Sequence, residues 1–486
     1  MISRFQSLKS RAAWLAALSI AVLPVISACG GTTAPTVSPT NTTAAMAEPT
    51  ATTGSSTTDA TATTGSGGDM TFGGGTLADL EAEGVKPDAS ASGKFEFFSW
   101  WTAGGEADGK NDLLNMYKAL YPKVELIDAA VAGGGGDQAK AVLKTRMQGN
   151  DPPDTFQVHG GPELLQGFVD PGRMEPITAI LKDMKMDTGF PKQLLDMVSK
   201  DGEIYAVPAN VHRGNVLFYN KKLFADNNLT APTTWDEFAK AADTLKAKGI
   251  IPLAVGGKDT WAVTMLFEDI LIAQAGADKF NGLMSGSTDW TDPAVLSALT
   301  TLGTYVTSDY FGSDFSGLTW DAAAGQVLNG KAGMTVMGDW AKGYFQANDP
   351  KWADNFGWVP SPGTEGVFKV ITDSFGLPKG AKNPENTKRF LSVLASKVGQ
   401  VTFNLRKGSI PARTDVDTSK FDVYMKDAAA DFSGAKSLVG SAPHGSATNE
   451  AFASALNTAI NTFVANPGAA AEAATTLVTQ AQDLLK

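Results

Sequence analysis

The alternation of apolar strands with helical patterns between residues 94 and 169 constrains the fold more than any other feature of the chain. Short apolar segments are separated by segments whose apolar residues recur every three or four positions. Strands are predicted at 94–99, 124–127 and 155–159, and the helices between them carry Leu113, Met116, Tyr117 and Leu120, then Ala139, Val142, Leu143 and Met147. A strand–helix–strand–helix–strand order implies a parallel sheet covered by helices.

A second set of the same kind begins after Asn210. A capping box at 234–237 opens a helix that is predicted to run to about residue 248. Further strands are predicted at 251–255, 333–337 and 367–371, and helices dominate after residue 386.

Two such units in one chain, with late segments that return to each of them, predict an α/β protein with two lobes around a ligand cleft. We expect each lobe to be a mostly parallel sheet flanked by helices, with ligands beyond the carboxyl ends of the strands. The first lobe is assigned to 93–209 plus a returning segment near 373–425. The second lobe is assigned to 210–372 plus C-terminal helices near 426–486.

The N-terminus has the pattern of an export signal. A basic start is followed by an apolar stretch from Trp14 to Ile26, and residues 1–28 are interpreted as a signal peptide. The end of this stretch, Ile26-Ser27-Ala28-Cys29, resembles a bacterial lipobox, in which the cysteine is lipidated. The alternative is an ordinary signal peptide with a chance cysteine. Residues 29–92 are predicted to be a flexible tether, since they are rich in Thr, Ser and Gly and poor in charge until residue 79.

Charge and cysteine content exclude several function classes. The chain has 51 acidic and 40 basic residues, for a formal net charge of −11, whereas nucleic-acid binding needs a basic surface. The single cysteine excludes intrachain disulfides, cysteine-based zinc sites and iron–sulfur clusters. The glycine run at 133–136 lacks the lysine and hydroxyl residue of a phosphate-binding loop and is interpreted as a turn. We therefore expect no cofactor and no metal.

Two adjacent tryptophans, Trp100 and Trp101, directly follow the first strand, and Glu106 lies in the loop before the next helix. Neighbouring side chains of an extended chain point to opposite sides, so at least one indole is expected at the mouth of the cleft. Aromatic planes stack well on the C–H faces of sugar rings. The alternative is one core and one surface tryptophan, with Glu106 as an acidic residue favoured by the helix dipole.

Polar residues repeat at two other strand ends. Gln157 and His159 share one face of a predicted strand, and Asn210 and His212 have the same spacing. Amides and neutral histidines offer both a donor and an acceptor, which is the combination that uncharged hydroxyls need. The alternative for each histidine is a purely structural role.

These motifs together resemble a known family. The matching segments begin with Phe98-Ser99-Trp100-Trp101 and continue at 104–106, 141–147, 151–159, 207–213, 336–340, 360–364, 373–380, 407–410 and 444–445. Over roughly residues 93–486 the chain is similar to family 1 of the extracellular solute-binding proteins. Within it, the chain is most similar to the branch of sugar-binding ABC transporter subunits that bind glucose and related hexoses.

The resemblance implies a periplasmic-binding-protein-like fold that closes on one sugar and performs no chemistry on it. Carried over by position, the pocket would be lined by Trp100, Trp101, Glu106, Gln157 and His159 from the first lobe, Trp320 and Trp340 from the second, Asn210 and His212 near the lobe crossing, and Asp373, Lys407 and His444 from returning segments. It further implies a monomer that delivers a mono- or small oligosaccharide to an ABC permease and its ATPase subunits. Its place would be the outer face of the cytoplasmic membrane, the periplasm or the cell surface.

Two alternatives remain at this level. A lipid-anchored glycoside hydrolase needs a pair of carboxylates, for which Glu106 and Asp373 are candidates. A binding protein of the same fold for a disaccharide would use the same motifs.

We expect the change Cys29→Ala to move the protein from the membrane fraction to the soluble fraction, because the lipid attached to that sulfur would be the anchor. Detergent-free fractionation of cells that express either form measures this directly. Equal membrane partition of both forms would contradict lipidation at Cys29.

Overall fold

The computed structural model describes residues 70–133, 136–185 and 187–485. The predicted signal peptide, Cys29 and most of the predicted tether lie outside these residues. Within them, no helix is both long and apolar enough to cross a membrane.

The elements that precede the first lobe crossing are as follows: β1 (Thr71–Phe72), β2 (Gly75–Thr76), α1 (Leu77–Ala82), β3 (Ser92–Phe98), α2 (Gly104–Leu120), β4 (Lys123–Asp128), α3 (Asp137–Gln148), β5 (Thr155–His159), α4 (Pro162–Leu164), β6 (Met174–Glu175), α5 (Thr178–Asp183), α6 (Lys192–Asp196), β7 (Ser199–Lys200), β8 (Glu203–Ile204) and β9 (Ala206–Pro208). A π-helical turn at Leu165–Val169 and a 3₁₀ turn at Asp187–Gly189 lie among them.

The elements of the middle of the chain are β10 (His212–Arg213), β11 (Val216–Asn220), α7 (Lys221–Asp226), α8 (Trp235–Lys246), β12 (Ile251–Leu253), α9 (Thr260–Ala275), α10 (Ala277–Ser285), α11 (Pro293–Thr307), α12 (Trp320–Leu328), β13 (Ala332–Met337), α13 (Trp340–Asn348), α14 (Trp352–Asn355), β14 (Phe356–Pro360) and β15 (Val367–Ile371). The last elements are β16 (Asp373–Pro378), α15 (Pro384–Ala395), α16 (Lys397–Lys407), α17 (Val423–Ser433), β17 (Ser437–Val439), α18 (Glu450–Ala465) and α19 (Ala470–Leu484).

The sheet of the first lobe has the order β4-β3-β5-β16-β6, and β9 also pairs with β16. Strand β3 runs parallel to both β4 and β5, as the alternation of strands and helices predicts. Strand β16 enters from the other lobe and runs antiparallel to β5, β6 and β9. Strands β3, β4, β5, β6 and β9 therefore share one direction, as the prediction of a mostly parallel sheet requires, and only the returning strand β16 runs the other way.

The sheet of the second lobe has the order β12-β13-β11-β14, and β12 and β13 are its one pair of parallel neighbours. Strand β11 is antiparallel to β13 and β14. Alternating strands and helices predict the direction only of strands that a helix joins on one sheet. Strand β11 arrives from the lobe crossing instead, so the alternation does not predict its direction.

The chain crosses between the lobes at a small sheet in which β15 pairs with β10 and β17. Strand β9 belongs to the first sheet and β10 follows it after Ala209, Asn210 and Val211. On the way back, Thr372 alone separates β15 from β16. The crossing therefore brings Asn210, His212 and Asp373 to the boundary between the lobes.

Residues 70–92, which we predict as part of the tether, are folded against the first lobe. The backbone N–H of Gly74 donates to the Thr402 hydroxyl at 2.8 Å, and Leu80 and Val85 are buried. A Cβ on Gly74 would lie 2.3 Å from the carbonyl oxygen of Val398, which shows how closely this segment approaches α16. The prediction failed because a few apolar residues are enough to dock a segment that is otherwise rich in glycine.

The predicted lobe boundary near 425–426 falls inside α17 and is wrong. Tyr424 stacks on Phe218 of β11 with ring centroids 6.2 Å apart, and Asp427 accepts a hydrogen bond from the Trp358 indole of β14. The first half of the helix therefore packs on the sheet of the second lobe.

Candidate functional site

A cavity of about 200 Å³ lies between the two sheets. Both lobes and the crossing segments contribute to its wall: Trp100, Thr102, Ala103, Glu106, Gly133, His159, His212, Asp259, Trp261, Thr319, Trp320, Asp321, Trp340, Ile371, Asp373, Lys407 and His444. Most of the residues predicted from the motifs are among them. The exceptions are Trp101, Gln157 and Asn210.

Strand ends position the polar side chains of the first lobe and the crossing. His159 is the last residue of β5 and pairs in register with Asp373, the first residue of β16. His212 begins β10 and pairs with Ile371 at the end of β15. These backbone ladders fix three titratable side chains at one place.

Asp373 is buried at the centre of this group. Its Oδ1 accepts a hydrogen bond from Gln157 Nε2 at 2.7 Å, and its Oδ2 accepts one from Asn210 Nδ2 at 2.8 Å. Burial alone would raise the pKa of Asp373, but the charge of Lys407, aided by His159 and His212, lowers the pKa overall. Asp373 is therefore held as a carboxylate.

Gln157 and Asn210 do not line the cavity, contrary to the prediction. Both are buried behind Asp373, and Gln157 also accepts a hydrogen bond from the backbone N–H of Trp100 at 3.0 Å. Their amides hold the Asp373 carboxylate in place and are thus one layer away from a ligand in this cavity.

Trp101 is also misplaced by the prediction. It is fully buried and packs on Phe375 and Phe403, with ring centroids 5.4 and 4.7 Å apart. Trp100 points to the cavity instead, as the alternation of side chains requires. The resemblance placed both Trp100 and Trp101 in the pocket, so it did not show which of the two faces the core.

Lys407 is a buried cation at the floor of the site. Its Nζ lies 2.5 Å from Glu106 Oε1 and 5.6 Å from the centre of the Trp101 ring. A buried ammonium needs such partners, because its desolvation is otherwise strongly unfavourable.

Aromatic rings form much of the remaining wall. Trp261 and Trp340 lie 5.9 Å apart, and each is within 5.3 Å of the His444 ring. Gly136 lies in the left-handed region at φ 86° and packs closely against Trp100. A Cβ at position 136 would lie 2.7 Å from the Trp100 indole, so a larger residue would displace the ring. The glycine run that we interpret as a turn therefore also makes room for a wall residue.

Sequence reasoning missed Asp259, Trp261 and Asp321. Asp259 accepts a hydrogen bond from the backbone N–H of Trp320 at 2.7 Å, and burial, together with the charge of Asp321, raises the pKa of Asp259. Both Asp259 and Trp261 come after the carboxyl end of β12, beyond a glycine pair at 256–257. Trp100 likewise comes after the carboxyl end of β3. The rule that ligands lie beyond strand ends would have found them.

All three histidines of the chain have their Nδ1 engaged by a polar group of the protein. Nδ1 of His159 lies 2.9 Å from Glu163, Nδ1 of His212 contacts Asp339, and Nδ1 of His444 lies 3.1 Å from the Ser441 hydroxyl. Burial, reinforced by nearby positive groups, lowers the pKa of His444 well below its ordinary value. Each ring thus keeps Nε2 as its remaining polar atom.

The chemistry of the cavity is that of hydroxyl recognition. Four carboxylates face one ammonium, and aromatic planes stand beside them. Nε2 of His212 and Nε1 of Trp261 have no hydrogen-bond partner among the described residues. Those same residues contain no group of three or more His, Cys, Asp or Glu side chains placed to hold a metal ion.

The model of a family described as bacterial extracellular solute-binding proteins matches residues 95–401, which is more than half of the chain. The chain belongs to this family.

Relatives and solved structures agree with this assignment. An uncharacterized ABC transporter extracellular-binding protein of Pyrococcus horikoshii is 37% identical over 372 residues, or 76% of this chain and 83% of that protein. A probable sugar-binding periplasmic protein of Brucella melitensis is 32% identical over 398 residues, or 79% and 91% of the two chains. The structure of the bacterial solute receptor AcbH, described as exclusively preferring β-D-galactopyranose, matches with a TM-score of 0.73 and 22% identity over 82% of this chain and 100% of that one. The fold of this solute-binding protein is therefore the two-lobed one.

The Glu163 carboxylate of this solute-binding protein should make its stability depend on pH. Glu163 lies 2.9 Å from both Lys140 and His159. Burial would raise the pKa of Glu163, but Lys140 and His159 lower it to about 2 from the model-peptide value of 4.5. A lowered pKa stabilises the folded state above pH 4.5, and this stabilisation is lost as the pH falls toward 2.

We therefore expect Glu163→Gln to reduce the free energy of unfolding at pH 7 by up to roughly 3 kcal/mol, and the gap from the unmodified protein to narrow below pH 5. Urea unfolding between pH 7 and pH 3 measures both quantities. Glu450→Gln is the matched control, because Glu450 pairs with Lys144 in an exposed ion pair. A gap that is the same at every pH, or no gap at all, would contradict this role of Glu163.

Proposed function

We propose that this protein captures a sugar outside the cytoplasmic membrane and delivers it to an ABC importer, without chemistry on the sugar. The observation that carries the proposal is the cavity between the lobes, where the Asp373 carboxylate lies among tryptophan rings. Membership of the extracellular solute-binding family, and the similarity to a probable sugar-binding protein, support the same reading.

The wall groups match the surface of a sugar ring. Carboxylates accept hydrogen bonds from sugar hydroxyls, and such charged hydrogen bonds contribute roughly 1.5–3 kcal/mol each. Lys407 supplies a hydrogen-bond donor in the same cavity. Trp320 and Trp340 offer flat apolar faces for the C–H groups of the sugar ring. A sugar satisfies both kinds of surface, whereas a purely apolar ligand would leave the carboxylates without partners.

We propose glucose or a related hexose as the ligand. The cavity of about 200 Å³ is smaller than the roughly 300–1,000 Å³ of clefts for drug-sized molecules, which favours a single ring. Micromolar affinity is about −8 kcal/mol, or about −0.7 kcal/mol per atom for roughly twelve heavy atoms, and so lies within reach of an enclosed hexose. The galactopyranose preference described for AcbH is consistent with a hexose.

A disaccharide is the second candidate, and one observation favours it. A larger cavity of about 610 Å³ lies between α3 and α18 and shares Trp261 with the first. A second ring beside Trp261 would use this space.

A hydrolase that uses Glu106 and Asp373 as its pair of carboxylates loses support from the state of these two residues. Glu106 is paired with Lys407, and the pKa of Asp373 is lowered rather than raised. A general acid for glycoside cleavage needs a raised pKa. We therefore propose a binding role for both residues.

The delivery step implies membrane partners. We propose that an ABC permease with its ATPase subunits receives the sugar, and that the protein acts as a monomer anchored through a lipid on Cys29. The fractionation of the Cys29→Ala variant described above tests the anchor.

Isothermal titration with glucose, galactose, mannose and common disaccharides tests the binding proposal. One of these sugars should bind and raise Tm, with a stabilisation of about 2.7 kcal/mol at a hundredfold excess over Kd. Trp320→Ala should weaken that binding at least tenfold, because it removes an aromatic wall from the cavity.

Trp358→Ala is the matched control, since Trp358 packs against Trp352 and Tyr424 away from the cavity. It should leave the affinity nearly unchanged. No binding of any sugar tested, or an equal loss of affinity in both variants, would contradict the proposed site.

A further inference from the structure

A cluster of three charged residues is buried in the second lobe beside the cavity. Glu268 and Asp269 on α9 face Lys369 on β15, and all three side chains are fully buried. Lys369 Nζ lies 2.6 Å from Asp269 and 3.3 Å from Glu268. None of the three lines the cavity, so hydroxyl recognition alone does not explain them.

Glu268 reaches from this cluster to the loop that follows β17. Its Oε1 accepts a hydrogen bond from the backbone N–H of Ala442 at 2.6 Å, and its Oε2 lies 3.0 Å from the Ser441 hydroxyl. Lys369 approaches the same Oε2. An amide N–H and an ammonium can only donate, so Glu268 accepts at Oε1 from Ala442 and at Oε2 from Lys369.

The single proton of the Ser441 hydroxyl then has a defined direction. The hydroxyl oxygen lies between Glu268 and Nδ1 of His444, at 3.0 and 3.1 Å. If the proton is donated to the carboxylate, Ser441 can only accept from the imidazole. Nδ1 of His444 must therefore carry the ring proton, which leaves a lone pair on Nε2.

We propose that Glu268, acting through Ser441, is a positioning residue that presents Nε2 of His444 to the ligand as a hydrogen-bond acceptor. This inference rests on the proposed function only in naming the ligand. It adds a selection rule: the sugar must place a hydroxyl that donates, rather than an ether or a carbonyl oxygen, against His444. The rings of Trp261 and Trp340 fix the plane of the imidazole.

The surroundings of His444 favour a neutral ring, which the assignment of a single proton to Nδ1 requires. The imidazole is buried, and the positive Lys140 and Lys369, with the rings of His159 and His212, add to the effect of burial in lowering its pKa. A second proton on His444 would be repelled by these cations.

Nitrogen NMR of the empty full-length protein labelled with ¹⁵N-histidine tests the tautomer. The chain has three histidines, and the His444 signal is assigned by its loss in His444→Gln. We expect Nδ1 protonated and Nε2 bare in the unmodified protein at pH 7. A protonated Nε2 there would overturn the inference, whether or not any sugar binds.

Three variants at Ser441 and Glu268 distinguish this hydrogen-bond relay from simple packing. Ser441→Ala should release the fixed tautomer and weaken binding of the sugar found by titration about fivefold to tenfold, while Ser441→Thr keeps the hydroxyl and should preserve both. Glu268→Gln should reverse the relay, because its amide would turn its oxygen to Ala442 and donate to Ser441. A His444 that keeps Nδ1 protonated in both Ser441→Ala and Glu268→Gln, or a Ser441→Ala variant with unchanged sugar affinity, would overturn the proposal.

Discussion

The hydrogen bonds that Asp373 accepts from Gln157 and Asn210 are the constraint around which the two lobes are arranged. They tie the end of β5, the crossing segment and the start of β16 to one carboxylate. Removing that acceptor would leave the N–H₂ groups of two buried amides without an acceptor, and each such loss costs about 1–3 kcal/mol. The proposed binding group is therefore also a structural contact between segments, and the lobes meet where we propose that the ligand binds.

The other polar residues of the cavity wall are also held by hydrogen bonds or ion pairs to neighbouring side chains. Glu163 and Lys140 support His159, and Asp339 supports His212. Glu106 accompanies Lys407 as its ion-pair partner. Charges that are paired before a ligand arrives need little rearrangement on binding, which preserves affinity. In this view the second layer of charges determines which lone pairs and which protons the cavity offers.

Many of the residues that line the cavity could be predicted from the sequence, because they lie at the ends of predicted strands. His159, His212 and Asp373 each occur where an apolar strand ends or begins, and the structure brings them together. Sequence reasoning could not tell Trp100 from Trp101, because alternation predicts opposite sides without saying which side is the core. The prediction that Gln157 and Asn210 line the cavity failed for a related reason. An amide that donates to a carboxylate and an amide that donates to a sugar have the same sequence signature.

Long-range contacts account for the other errors. The docking of residues 70–92 depends on α16, some three hundred residues later, and the direction of β16 depends on a return from the other lobe. Local patterns contain neither fact.

The most direct test of the account is a crystal structure of the protein with the sugar found by titration. We expect a sugar hydroxyl within 2.5–3.0 Å of the Asp373 carboxylate, with the ring against a tryptophan of the cavity. A sugar bound only elsewhere, with Asp373 contacting nothing but Gln157 and Asn210, would contradict it.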